Sequence, residues 1–381
     1  MNHLSNFNLF FILLILNIGC STSKKQTTNE KLVIHTKSGQ LTAFINEGVD
    51  SHFNWLKVDT LAKEVDWVLN CYAQSEKLKI KSDTDSVEYD LVQNTNQIIE
   101  VVFETDSIVR LNIQAKPFTF KKIEYDQKNG LGYEIKYQSK PNEYLKQLAQ
   151  KYPLDFLDHS KSDTEVVLEV LNWVATRWNH NGNNSPSKND AITILDEANE
   201  GKQFPCFAYA IVLKDQLQTL GYTARTVYLK TNDAATSKNA CGHVITEVYL
   251  NDLQKWVFLD GQMNTMPMLN GIPLNSVEFQ NALTHHYDEV ELKTLHPESR
   301  YKNIYNDFIY NYLYHLDISL DQCYNKSQTY KINGMRSLML LPLGAEELKR
   351  VPFYNSNIDY CLYTNSLEDF YAKPNFQNKD L

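Results

Sequence analysis

The chain has 381 residues, 43% of them hydrophobic and 22% charged, enough to bury a sizeable core and to form two or three structural units. A formal net charge of −9 without clustered Lys or Arg excludes a dedicated nucleic-acid role, because a phosphate backbone is bound through concentrated positive charge. The 23 Tyr and 17 Phe are spread along the chain and suit β-rich packing.

The first element is an apolar run from Leu9 to Leu16, too short to span a membrane and the right length for the core of a signal peptide. It leads into Asn17, Ile18, Gly19 and Cys20. A small residue directly before cysteine resembles the lipobox of bacterial lipoproteins. That resemblance implies cleavage after Gly19, lipidation of Cys20, and a membrane contact made through the lipid. Residues 1–20 are therefore expected to be a lipoprotein signal and lipobox, and 21–31 a polar tether. Ser21 in place of an inner-membrane-retaining Asp leans toward the outer membrane within a bacterial cell envelope.

Residues 32–140 carry short alternating runs, among them Leu78–Ile80, Ile98–Phe103 and Ile108–Ile113, separated by Asp, Asn and Ser turns. They predict a compact, sandwich-like antiparallel β-domain. From Asn142 the period changes. Tyr144, Leu145, Leu148 and Ala149 suggest one helix, and Val166, Val167, Val170, Val174 and Trp178 a second. A polar loop, Asn179–Asp190, precedes a short helix at Ala191–Ala198.

The next helix starts at Cys206, behind Pro205, and stops at Gly221, both usual boundary residues. A thiol at a helix N-terminus meets unpaired N–H groups and the positive end of the helix dipole, which favour the thiolate. Strands are expected at Thr223–Leu229, Gly242–Leu250 and Lys255–Asp260. A hairpin turn over Asn251–Gln254 pairs Leu250 with Lys255 and Ile245 with Asp260. His243 and Asp260 then become diagonal neighbours on one sheet face. A shift of one residue would part them. Thiol, imidazole and carboxylate in that relation suit acyl transfer: the sulfur attacks, the imidazole exchanges the proton, and the carboxylate fixes its tautomer.

The stretch from Leu168 to Asn264 resembles the transglutaminase-like superfamily. The resemblance is carried by Trp173 and Trp178, the Cys206 helix, Leu220-Gly221-Tyr222-Thr223-Ala224-Arg225, Gly242-His243-Val244, Glu247-Val248-Tyr249 and Trp256-Val257-Phe258-Leu259-Asp260. It implies an α+β, papain-like core over 141–265, with helices packed on an antiparallel sheet. It also implies Cys206 as nucleophile, His243 as base and acid, and Asp260 as its orienting partner. Gly261 stands where Pro often follows the family's aspartate. Pro205 has no N–H for an oxyanion, which leaves the N–H of Cys206 and, as a second candidate, the amide of Gln203.

Residues 266–381 mix a helix near Val277–Leu295, a Tyr-rich segment at Tyr301–Leu316 and a strand at Ser337–Leu341. They are expected to be an accessory region packed on the core. Cys241 would share a face with His243 if the strand reached it, and Cys71, Cys323 and Cys361 are too scattered for a disulfide framework. His285 and His286 are adjacent, no HExxH exists, and there is no GxGxxG or Walker loop, so neither a metal nor a nucleotide cofactor is expected. The function expected is hydrolysis of an amide or peptide bond through a Cys206 thioester, on a peptide, protein or glycopeptide. Transfer to an amine, a crosslinking reaction, ranks second, and non-catalytic binding third.

Overall fold

A computed structural model of the chain describes residues 32–48, 51–138, 142–158, 160–295, 302–324 and 329–374. The expectations for the signal segment, Cys20 and the tether fall outside these residues. The molecule is α+β, with a β-rich N-terminal unit followed by a helix-on-sheet body.

The N-terminal unit contains eight strands: β1 (Leu32–Thr36), β2 (Gln40–Ile45), β3 (His52–Lys57), β4 (Glu64–Cys71), β5 (Ser75–Lys81), β6 (Ser86–Val92), β7 (Asn96–Phe103) and β8 (Ile108–Pro117). They form two four-stranded sheets, ordered β1-β7-β8-β4 and β3-β2-β5-β6. Alternate residues of both turn inward to one shared core, including Leu41, Leu69, Ile80, Ile99 and Leu111. The sheets are not wholly antiparallel. β1 runs parallel to β7 and β4 parallel to β8, because the chain crosses to the other sheet after β1 and returns at β4 to flank the central β7–β8 hairpin.

Strand pairing in this unit ends at Pro117. Residues 118–137 run along the body instead, where Tyr125 and Ile135 are buried in the same cluster as Leu316 and Phe370.

The body opens with α1 (Glu143–Lys151), α2 (Asp163–Ala175), α3 (Ala191–Asn199) and α4 (Cys206–Thr219). Caps explain three of these starts. Asn142, Ser162 and Asp190 each accept a backbone N–H of the first turn, and Ser162 with Glu165 forms a complete capping box. α2 ends at Ala175, so Trp178 lies beyond the helix expected to contain it. α4 is buried on almost every side because it is central, its polar Lys214, Asp215, Gln216 and Gln218 included. It packs on the sheet and is surrounded by α1, α2 and α3.

The sheet beneath α4 has six strands, β11-β10-β9-β15-β16-β19: β9 (Thr223–Lys230), β10 (Gly242–Leu250), β11 (Lys255–Leu259), β15 (His315–Ser319), β16 (Ser337–Leu340) and β19 (Cys361–Thr364). It is antiparallel except for the β16–β19 pair. The last three strands come from the region expected to be accessory, which therefore continues the main sheet. Smaller pieces surround it: β12 (Met266–Leu269), β13 (Ile272–Pro273), α5 (Ser276–His285), β14 (Glu291–Lys293), α6 (Lys302–Tyr312), β17 (Arg350–Val351), β18 (Ser356–Asn357) and α7 (Leu367–Phe370). The helix expected over Val277–Leu295 thus stops ten residues early. His286 leaves helical geometry, and β14 pairs with β12 instead.

Candidate active site

Cys206 is the first residue of α4, preceded by Pro205 in extended conformation. In that position its N–H has no acceptor within the helix. The position of α4 is fixed at two points. The Thr246 hydroxyl donates to the Ala210 carbonyl at 3.0 Å, joining β10 to the helix, and the Tyr209 hydroxyl donates to the Trp178 carbonyl at 2.8 Å. Both lie within one turn of Cys206. The thiol itself is half-buried.

β10 begins at Gly242 and pairs with β11 in the register Leu250↔Lys255 through Thr246↔Leu259. One further step sets Ile245 opposite Asp260 and puts His243 diagonal to it. His243 Nε2 lies 2.8 Å from Asp260 Oδ2, and both side chains are buried. The other ring nitrogen is Nδ1, and Cys206 is among the groups that raise the imidazole, after Asp260. Burial alone would push the imidazole down. The charge and hydrogen bond of Asp260, followed by those of Cys206, overcome it and lift the ring to about 10.

Asp260 is held on both oxygens. Oδ1 accepts the backbone N–H groups of Gln262 and Met263, each at 3.1 Å, and Oδ2 accepts the Tyr305 hydroxyl at 3.0 Å besides facing His243. The following Gly261 has a packing reason. A Cβ there would lie 3.1 Å from Tyr209 Cβ and 3.4 Å from its backbone, so β11 ends hard against α4.

Helix α6 covers the imidazole. Phe308 meets the His243 ring edge-on with centroids 5.2 Å apart, and Tyr312 lies at 5.9 Å. The Tyr312 hydroxyl donates to the Ala240 carbonyl, while that of Tyr354 accepts the Gly242 N–H at 3.2 Å, so both steady the entry to β10. Burial raises the phenols of Tyr228, Tyr312 and Tyr354; the next raising causes are Asp317 for Tyr228, Tyr354 and then Cys241 for Tyr312, and Cys241 for Tyr354, with Cys206 a lesser one in each. His180, on the loop after α2, is held below its ordinary value first by burial and then by His243, with Asp260 opposing. That loop is tied alongside the cysteine: His180 bridges Phe204, and Asn181 N–H donates to the Phe204 carbonyl.

Cys206, His243 and Asp260 thus meet at one place. Gln203 lies three residues before the thiol and is exposed; its carbonyl accepts from Asn184 Nδ2 at 2.8 Å. Cys241 belongs to a different cluster, with Met339, Leu348 and Cys361, and the five described cysteines are all free thiols. His286 pairs with Glu289 at the surface. Among the described residues, no group of three or more His, Cys, Asp or Glu side chains could hold a metal ion. Sequence reasoning missed Tyr305, Phe308, Tyr312, Tyr354 and His180. The first three have a signal, an aromatic stripe at helical spacing, but it reads equally as core.

Residues 150–261 match the family model described as Transglutaminase-like superfamily, a span that contains all three site residues. No curated protein matches the chain. Among solved structures, a candidate cysteine protease from Cytophaga hutchinsonii is similar at 12% identity, over 68% of this chain and 82% of that one, with a TM-score of 0.27.

Proposed function

We propose that this chain, whose residues 150–261 form a transglutaminase-like segment, is a thiol-dependent acyl-transfer enzyme that hydrolyses an amide or peptide bond through a thioester on Cys206. One observation carries the reading. The buried His243 imidazole lies 2.8 Å from the Asp260 carboxylate, and Asp260, followed by Cys206 at the start of α4, holds it above its ordinary range.

In the proposed cycle the Cys206 sulfur attacks the substrate carbonyl carbon, and negative charge moves to the oxygen. The N–H of Cys206 and the positive end of α4 face that charge, with the Gln203 amide as the second proposed donor. His243 passes its proton to the departing nitrogen, the C–N bond breaks, and the acyl group remains on sulfur. A water then gives its proton to His243 and its oxygen to the acyl carbon. The C–S bond breaks, a carboxylic acid leaves, and the sulfur is free again. Asp260 keeps Nε2 as the donor throughout, so that Nδ1 handles the moving proton. Direct transfer of the acyl group to an amine differs only in the nucleophile of the second half.

The substrate class proposed is a peptide, protein or glycopeptide of the bacterial envelope. It follows from the lipobox-like Gly19-Cys20, which would anchor the protein by lipid, in the outer membrane by the Ser21 argument. Cys20→Ala should then appear in the soluble fraction and lose metabolic labelling by fatty acid; unchanged membrane recovery would contradict the anchor.

The activity is tested by following new carboxylates released from a pool of envelope peptides. The parent should release them and Cys206→Ala should not. An added primary amine decides the second half-reaction: acid release that continues supports hydrolysis, and amine incorporation in its place supports transfer. Equal release by parent and Cys206→Ala would sink both.

A further inference from the structure

Asp260 can accept four hydrogen bonds and all four positions are occupied. The two on Oδ1 come from backbone N–H groups of the turn after β11, which closes through Asp260 N to Thr265 O at 2.9 Å. Donors on one oxygen alone leave the carboxylate free to swing about its last torsion, where the potential is broad. The donor that holds Oδ2 independently of His243 is the Tyr305 hydroxyl, 3.0 Å from the same Oδ2 that faces the imidazole. Tyr305 is buried and belongs to α6, more than forty residues beyond the family-matched span. Burial first, and then Asp260, raise its phenol far above the ordinary value, so it keeps the proton it donates.

We infer that Tyr305 is a positioning residue of the thiol site: its hydroxyl locks the Asp260 carboxylate in the orientation that presents Oδ2 to His243, and helix α6 thereby completes the site. The inference rests on the catalytic reading of Cys206, His243 and Asp260. It explains why one helix supplies both the brace for the acid and, through Phe308 and Tyr312, the wall against the imidazole. A residue serving only the core would need the ring and not the oxygen. The ring packs near Phe279 and Phe308, contacts that phenylalanine would keep.

Tyr305→Phe in the full chain separates ring from oxygen. The groups that face His243 are Asp260 at the end of β11, Cys206 on α4, Tyr312 on α6 and His180 on the loop after α2, and all remain in that variant. Ring-labelled histidine followed by NMR reads the consequence without relying on turnover. With the phenol gone, more negative charge on Oδ2 faces Nε2–H, so the His243 resonance should shift and its titration midpoint should rise by about half a pH unit or more. Alkylation of Cys206 should slow about tenfold as the looser carboxylate lets the imidazole wander. A ring-fluorinated tyrosine at 305, a stronger donor of the same shape, should move the midpoint the other way and serves if the Phe variant does not fold. A folded Phe variant with the parent's His243 titration and alkylation rate would overturn the inference. If the midpoint moves but the parent's thiol is no more reactive than a free cysteine, the brace stands and the catalytic reading falls.

Discussion

At the scale of single residues, the proton on His243 links stability to pH. Its folded value of about 10 lies above the ordinary 6.5, so the folded state binds that proton more tightly than the unfolded chain. The resulting stabilisation is complete below about 6.5 and is lost as pH rises through about 10. Thermal melts across this window should show the parent weakening toward alkaline pH and Asp260→Asn, without the main charge partner, weakening less; parallel curves would contradict the coupling. The sequence made this pair legible because a strand has a strict period of two and a four-residue turn set the register of β10 on β11. Nothing comparable marks His180, whose loop is tied alongside Phe204 and which burial, then His243, holds below its ordinary value.

Helix α6 shows what a single element adds. Tyr305, Phe308 and Tyr312 share the face turned to the imidazole, while Asp307 points to the N-terminal unit, where His52 Nδ1 lies 2.6 Å away and the Tyr287 hydroxyl donates to its other oxygen. Tyr72 stacks on the His52 ring with centroids 3.5 Å apart. The β-rich unit therefore holds from behind the helix that closes the site. His52→Ala should cost about 2 kcal/mol, in the range of a hydrogen bond to a charged group. It should also speed amide exchange in α6 ahead of β9 and β10, whereas uniform exchange would contradict a local role. The Tyr-rich run announced that something aromatic stands at 301–316, but periodicity says only that a stripe is buried, not against what. The overlong helix expected over Val277–Leu295 has a similar cause, since apolar spacing continues past His286 and only the pairing of β14 with β12 turns the chain into a strand.

Across the whole molecule, the region after residue 265 is part of the fold that carries the site. β15 continues the sheet directly from β9, and β16 and β19 extend it. A buried cluster ties the parts together. Arg225 on β9 bonds Glu247 on β10 at 2.7 Å and donates to the Phe370 carbonyl and the Tyr137 hydroxyl, while Glu247 accepts from Ser276 and Tyr371. Removing one member of such a pair leaves a buried charge, so Arg225→Ala should lose about 3–5 kcal/mol in denaturant unfolding. A chain ending at 265 should fail to give a protease-resistant core; a stable, folded product would show that the site-bearing part stands alone. The local segment around the thiol was readable because its elements follow one another in sequence, whereas this cluster joins residues 137, 225, 247, 276, 370 and 371, a proximity only the folded chain creates. The claim on which all of this depends is that His243 activates Cys206. The most direct check is the rate at which iodoacetamide labels Cys206 near neutral pH in the parent and in His243→Ala. Labelling should occur in the parent, be absent from Cys206→Ala and be slowed at least about tenfold by His243→Ala; equal rates in parent and His243→Ala would contradict the activation of Cys206 by His243.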